Sequence, residues 1–141
     1  QCKFTDTDNI IINKYNNKIK DIIKKNGNSK FLDIEKNCIL NFKTQNINNI
    51  ISTGGSVIYR KDSMNYLKNE LDCKLIYLYL PYDIWVDKIK DPVKRGIIIP
   101  PNYSLKDLYN ERHKLYEKHQ SMSIRSDDKT RVLDYLYLNN I

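Results

Sequence analysis

Apolar residues recur at helical spacing over the first stretch of the chain. Cys2 to Thr5 reads as the end of a strand, and the acidic turn Asp6-Thr7-Asp8 follows it. Ile10, Ile11, Tyr15, Ile19, Ile22 and Ile23 then mark one face of a helix that Asn26-Gly27 stops. Ser29 is placed to cap a second helix, with Phe31, Ile34, Cys38, Ile39 and Phe42 on its buried side. Asn49 to Thr53 predicts a strand running into Gly54-Gly55-Ser56, and Lys61 to Leu71 a helix. Lys74 to Leu80 predicts a strand ended by Pro81, followed by a short helix from Tyr82 to Lys90. Asp91 to Tyr103 breaks the pattern: Pro92, Gly96, Pro100 and Pro101 surround Lys94-Arg95, so this basic loop reads as a lid. Ser104-Leu105-Lys106-Asp107 resembles a capping box and opens a helix to about Gln120. A strand at Met122 to Ile124 and a helix from Asp128 to Leu138 close the chain. Strands alternating with helices predict a single α/β domain over residues 1–141, its sheet mostly parallel, without internal repeat or linker.

Composition narrows the function classes. A hydrophobic share of 40% and a charged share of 29% over 141 residues describe one globular domain with a real core. The longest apolar runs, Leu75 to Leu80 and Ile97 to Ile99, are too short to cross a bilayer, so no membrane partner is expected. Gln1-Cys2-Lys3-Phe4-Thr5-Asp6 turns polar at once and does not read as a signal peptide. Cys2, Cys38 and Cys73 are odd in number and widely spaced, which argues for reduced thiols in the cytoplasm and against a zinc site. The net charge of +7 invites a nucleic-acid partner. Its lysines are scattered singly, however, and the absence of alanine beside abundant Ile, Asn, Lys and Tyr points to a coding bias. No nucleic-acid partner is expected.

The double glycine holds two of the chain's four glycines at the end of a strand. Glycine lets a backbone approach a ligand closely, and successive amides in such a turn form an anion-binding concavity. In an open α/β sheet that concavity lies at the carboxyl edge of the strands, where ligands bind; otherwise it is a tight strand-to-helix turn. Asp6 and Asp8 are spaced to hold magnesium through water, or to hold and deprotonate a hydroxyl; otherwise Asp8 would be a helix N-cap with Asp6 favouring the positive helix end. Arg95 in the lid is placed to stabilise a transferring phosphoryl group or to stand as a solvated charge. Arg112 offers bidentate recognition of a carboxylate or phosphate, or an intrahelical pair. His113 and His119 lack a partner serine or cysteine, so they read as surface helix residues, and Trp85 reads as core.

Six pieces in order carry a resemblance. They are Phe4-Thr5-Asp6-Thr7-Asp8, Gly27-x-x-x-Phe31-x-x-x-Glu35, Thr53-Gly54-Gly55-Ser56, Leu78-Tyr79-Leu80-Pro81, Lys94-Arg95-Gly96 and Glu111-Arg112-x-x-Leu115-Tyr116. Together they resemble the shikimate kinase family of small P-loop kinases, from Phe4 to about His119. The resemblance implies a three-layer, parallel-sheet P-loop kinase fold and a monomer that uses ATP and Mg2+. It implies phosphoryl transfer to a hydroxyl of a small, carboxylated acceptor. By position, Asp6 would lie near magnesium and Asp8 would hold the acceptor hydroxyl. Gly54, Gly55 and Ser56 would meet the acceptor and transferred phosphate. Arg95 would close over the nucleotide phosphates as a catalytic cation, and Arg112 would hold the acceptor.

Some positions depart from that pattern. Leu32 stands where the family has an arginine that binds the shikimate carboxylate, which leaves the acceptor open. Ser56 replaces the third glycine, and the lid reads Arg95-Gly96-Ile97-Ile98 where Arg-Pro-Leu-Leu is usual. No glycine in the sequence is followed by lysine, so the phosphate loop Gly-x-x-x-x-Gly-Lys-Ser/Thr is not in it. A sheet without its central strand would leave neighbouring backbone groups unpaired. The expectation is therefore an N-terminal truncation, the first strand and phosphate loop missing and this piece alone inactive. The alternative is a catalytically inactive nucleotide-binding or regulatory module of the same fold.

Overall fold

In a computed structural model of the chain, residues 3–43, 49–127 and 129–138 are described. The expectations for Cys2 and Asp128 lie outside them. The chain divides into two compact units, residues 1–73 with 91–98 and residues 74–90 with 99–141.

In the first unit, β1 (Lys3–Asp6) pairs in parallel with β2 (Asn49–Ser52), in the register Lys3↔Asn49 to Asp6↔Ser52. The single helix expected up to Asn26 is two, α1 (Thr7–Tyr15) and α2 (Ile19–Asn26). Asn16 takes a left-handed conformation (φ 47°), and the Asn17 side chain accepts from the Lys18 amide at 3.0 Å. Asparagine tolerates that conformation and its amide competes with the helical backbone, so the chain turns here. The apolar period runs through the break because both helices face one core, formed by Ile11, Ile22, Phe31, Ile34 and Ile98.

Helix α3 (Asn28–Leu40) starts from Gly27, not from a Ser29 cap. Gly27 ends α2 and begins α3 at φ 80° and ψ 165°, a region essentially reserved for glycine, which puts Ser29 inside the first turn. After β2 and the glycine turn come a 3-10 turn (Val57–Tyr59), α4 (Lys61–Asn65) and a π-helical turn (Tyr66–Glu70). The helix expected over 61–71 is thus α-helical over its first part and widens into a π-helical turn over its second. The Leu71 amide bonds the Tyr66 carbonyl at 3.0 Å, and the Tyr66 hydroxyl donates to the Phe42 carbonyl at 2.9 Å.

The basic loop read as a lid is shared between the two units. Its residues 91–98 belong to the first unit. Ile98 is buried in that unit's core, and Gly96 (φ 66°) backs onto α2, where an added Cβ would lie 3.0 Å from Ile19 Cγ2 and 3.2 Å from the Lys20 amide.

The second unit pairs β3 (Ile76–Tyr79) in parallel with β4 (Met122–Arg125). The strand starts later than Lys74 because the Leu75 carbonyl is taken by the Ser121 and Met122 amides at the mouth of the ladder. Helices α5 (Tyr82–Ile89), α6 (Leu105–His119) and α7 (Lys129–Leu138) complete it. The capping box forms as the sequence predicts. Ser104 Oγ accepts from the Asp107 amide at 3.1 Å, and Asp107 Oδ2 accepts from the Ser104 amide at 2.9 Å. Among the described residues, β1 pairs only with β2 and β3 only with β4, and every pairing is parallel.

Candidate active site

The carboxyl ends of β1 and β2 lie side by side because Asp6 pairs with Ser52. Each strand then enters a turn built from short residues. Asp6 caps α1: its Oδ1 accepts from the Asp8 amide at 2.9 Å and the Asn9 amide at 3.4 Å. This frees Asp8, in the first helical turn, from the capping duty. Burial, and then the negative charge of Asp6, hold the Asp8 carboxyl above its ordinary value.

Gly54 is where the separate motifs meet. A Cβ added there would collide with Glu35 Oε1 and stand 3.1 Å from Asp8 Oδ1. Two carboxylates from different helices therefore rest against one glycine, and a side chain on residue 54 has no room. Glu35 is 2% exposed, and its Oε2 accepts from the Ser56 hydroxyl at 2.8 Å. A buried carboxylate is costly unless hydrogen-bonded.

Glu35 lies in a motif that the sequence singles out, yet sequence reasoning gives it no role. The signal was its position: an acid four residues after Phe31 and four before Ile39, on the face that α3 buries. Cys38 is a neighbour. Its thiol is pushed up by burial and by Glu35 and Asp8, with Lys14 opposing, so it stays protonated.

Thus the structure brings together Asp6, Asp8, Gly54, Ser56 and Glu35, and Gly55 lies between Gly54 and Ser56 with its residue surface exposed. Arg95 belongs to the same unit and is exposed. Arg112 belongs to the second unit, where it is 9% exposed on α6. Leu32, where the resemblance calls for an arginine, packs against the apolar core of the first unit. Among the described residues no group of three or more His, Cys, Asp or Glu could cage a metal, and no helix is long and apolar enough to cross a membrane.

A family model for shikimate kinase matches residues 1–139. The chain belongs to the shikimate kinase family. The shikimate kinase of Sulfurihydrogenibium sp. is 30% identical over 128 residues, covering 91% of this chain and 75% of the relative. That of Persephonella marina is 32% identical over 114 residues, covering 81% of this chain and 68% of the relative. The crystal structure of shikimate kinase from Aquifex aeolicus has a TM-score of 0.78 at 21% identity, covering 98% of this chain and 81% of that one. The enzyme of Acinetobacter baumannii, solved in complex with shikimate, has a TM-score of 0.78 at 22% identity, covering 99% and 80%. These likenesses give the α/β P-loop kinase fold. They also account for the parallel pairing in both units, since shikimate kinases are parallel-sheet proteins of this fold.

Proposed function

We propose that the protein transfers a phosphoryl group from ATP to a hydroxyl of a small carboxylated acceptor, with shikimate the first acceptor to test. The observation that carries this reading is the pair of carboxylates, Asp8 and Glu35, set against the Cα of Gly54 at the ends of two parallel strands. Family membership supports a small-molecule kinase and gives no support to an inactive regulatory module.

Asp8 orients the acceptor hydroxyl and takes its proton. A carboxyl raised by burial is a better base than a solvated one. The turn at Gly54 and Gly55 offers backbone amides to the transferred phosphate. Arg95 supplies a guanidinium to the phosphates and Arg112 one to the acceptor carboxylate.

Asp6 fits magnesium as a single outer carboxylate, not as a cage: one of its oxygens caps α1, and no group of three ligands surrounds it among the described residues. Magnesium commonly takes one or two carboxylates with phosphate and water, and when bound it neutralises charge on the phosphates. A full nucleotide cradle does not fit the residues of this sequence, which holds no Gly-Lys pair.

Leu32 favours one refinement. Packed on the core, it offers the acceptor no cation, so acceptors other than shikimate belong in the test. ADP release by the full-length protein, measured with MgATP and a panel of shikimate, other cyclic hydroxy acids and sugar acids, tests the reading. Acceptor-dependent release that falls at least ~100-fold in Asp8→Asn is expected. Release with no member of the panel, or equal release from Asp8→Asn, overturns it.

A further inference from the structure

Ser56 is 6% exposed, and its hydroxyl is turned away from solvent onto Glu35. The two residues are 21 apart in sequence. Ser56 therefore joins the glycine turn after β2 to the middle of α3. One oxygen of Glu35 takes this bond while the other faces Gly54. A glutamate has several side-chain rotors, and a hydroxyl bonded to one carboxylate oxygen selects among them. The shikimate kinase pattern implies glycine at position 56, which has no hydroxyl, so this clamp belongs to the present sequence.

We propose that Ser56 is a positioning residue for acceptor recognition: it does not touch the acceptor, and its hydroxyl holds Glu35 with one oxygen at Gly54, beside Asp8. A carboxyl group fixed there presents a stationary hydrogen-bond partner to a hydroxyl of the acceptor. This rests on the kinase reading above. It reassigns Ser56 from the acceptor contact that the sequence suggests to a support behind Glu35.

Two measurements on the full-length protein test it. The first is the side-chain carboxyl resonance of Glu35 in protein labelled with 13C-glutamate, compared among the unmodified protein, Ser56→Ala and Ser63→Ala. Ser63 is a buried serine of α4 whose hydroxyl has no partner, so it controls for loss of a buried oxygen. The Glu35 resonance should move in Ser56→Ala only. The second is steady-state kinetics with MgATP and the best acceptor. In Ser56→Ala the acceptor KM should rise about tenfold, as for loss of one well-made hydrogen bond, with kcat kept within about twofold. In a Glu35→Ala background the same substitution should change KM by less than about twofold.

An unmoved resonance overturns the proposal, and so does a moved resonance with unchanged KM. An undiminished penalty in Glu35→Ala would show that Ser56 does not act through Glu35. If Glu35→Ala does not fold, the resonance and the KM-against-kcat split still decide. Lack of acceptor-dependent turnover in the unmodified protein sinks the kinase reading and this role together. Turnover with an unchanged Ser56→Ala KM sinks the Ser56 role alone.

Discussion

Around Gly54 the first unit buries carboxylates, whereas around Tyr77 the second unit packs rings. Tyr77 stacks on Tyr116 with centroids 4.7 Å apart and bonds His113 Nδ1 through its hydroxyl at 3.1 Å. Tyr109 lies parallel to His113 at 5.8 Å, and its hydroxyl donates to the Leu80 carbonyl at 2.7 Å. Lys106 Nζ stands 3.8 Å from the Tyr82 ring centre. Burial pushes the Tyr77 hydroxyl well above its ordinary range, so it stays protonated. The polar atoms of this cluster tie α5 and α6 to β3 and to each other. At Gly54 the polar atoms converge on one backbone position instead. The contrast separates polar groups arranged for a ligand from polar groups arranged for packing.

The largest effect expected is from Gly54→Ala. The new methyl would meet Glu35 and Asp8 together, and displacing catalytic groups by about 1 Å costs on the order of 100-fold in rate. Overpacking would also remove about 1–3 kcal/mol of stability, read from urea unfolding. Gly27→Ala sharpens the point. Nothing lies within 4 Å of its Cβ position, so only backbone strain of about 1–3 kcal/mol should appear, with turnover retained. If Gly27→Ala abolishes turnover and Gly54→Ala does not, the site is misplaced.

Asp8→Asn comes next, with loss of rate and gain of stability expected together. The folded-state carboxyl lies above its ordinary value of 3.8, so ionised Asp8 costs stability at neutral pH. That cost is relieved as pH falls through the raised value. The melting temperature of Asp8→Asn should exceed that of the unmodified protein at pH 7, and the difference should vanish towards pH 3.8. A lower melting temperature at pH 7 would mean that Asp8 is structural.

Tyr77→Phe removes only the bond to His113. It should cost about 1 kcal/mol of stability with kcat and acceptor KM unchanged. A changed acceptor KM would blur the distinction between the two regions. Ser63→Ala should have the smallest effect. Its hydroxyl is buried without a hydrogen-bond partner, so removal should be neutral or stabilise by less than about 1 kcal/mol in thermal melts.

Much of this was legible in the sequence because it is local. The acid pair after a strand, the double glycine after another and the Ser104–Asp107 box depend on neighbours a few residues away, and each takes the conformation its residue types favour. Two failures were local as well. Asn16 broke a helix whose apolar period ran on, because both pieces face the same core. Ser29 lost the cap to Gly27, whose positive φ the sequence could not reveal. That the core takes in Ile98 of the Arg95 loop was hidden by the prolines and glycine around it.

By itself the sequence carried the family resemblance in six ordered motifs; it also determined the parallel α/β pattern and the order of the acidic turn, the glycine turn and the basic loop, since these follow from periodicity and short-range turn chemistry. Only the tertiary structure decided that Glu35 and Asp8 meet at Gly54, that Ser56 turns onto Glu35, and that Leu32 joins the core. It alone showed that the tyrosines gather around His113. Those are contacts between residues distant in the chain. Which side chain fills which gap is fixed by close packing, and spacing along the chain carries no record of it.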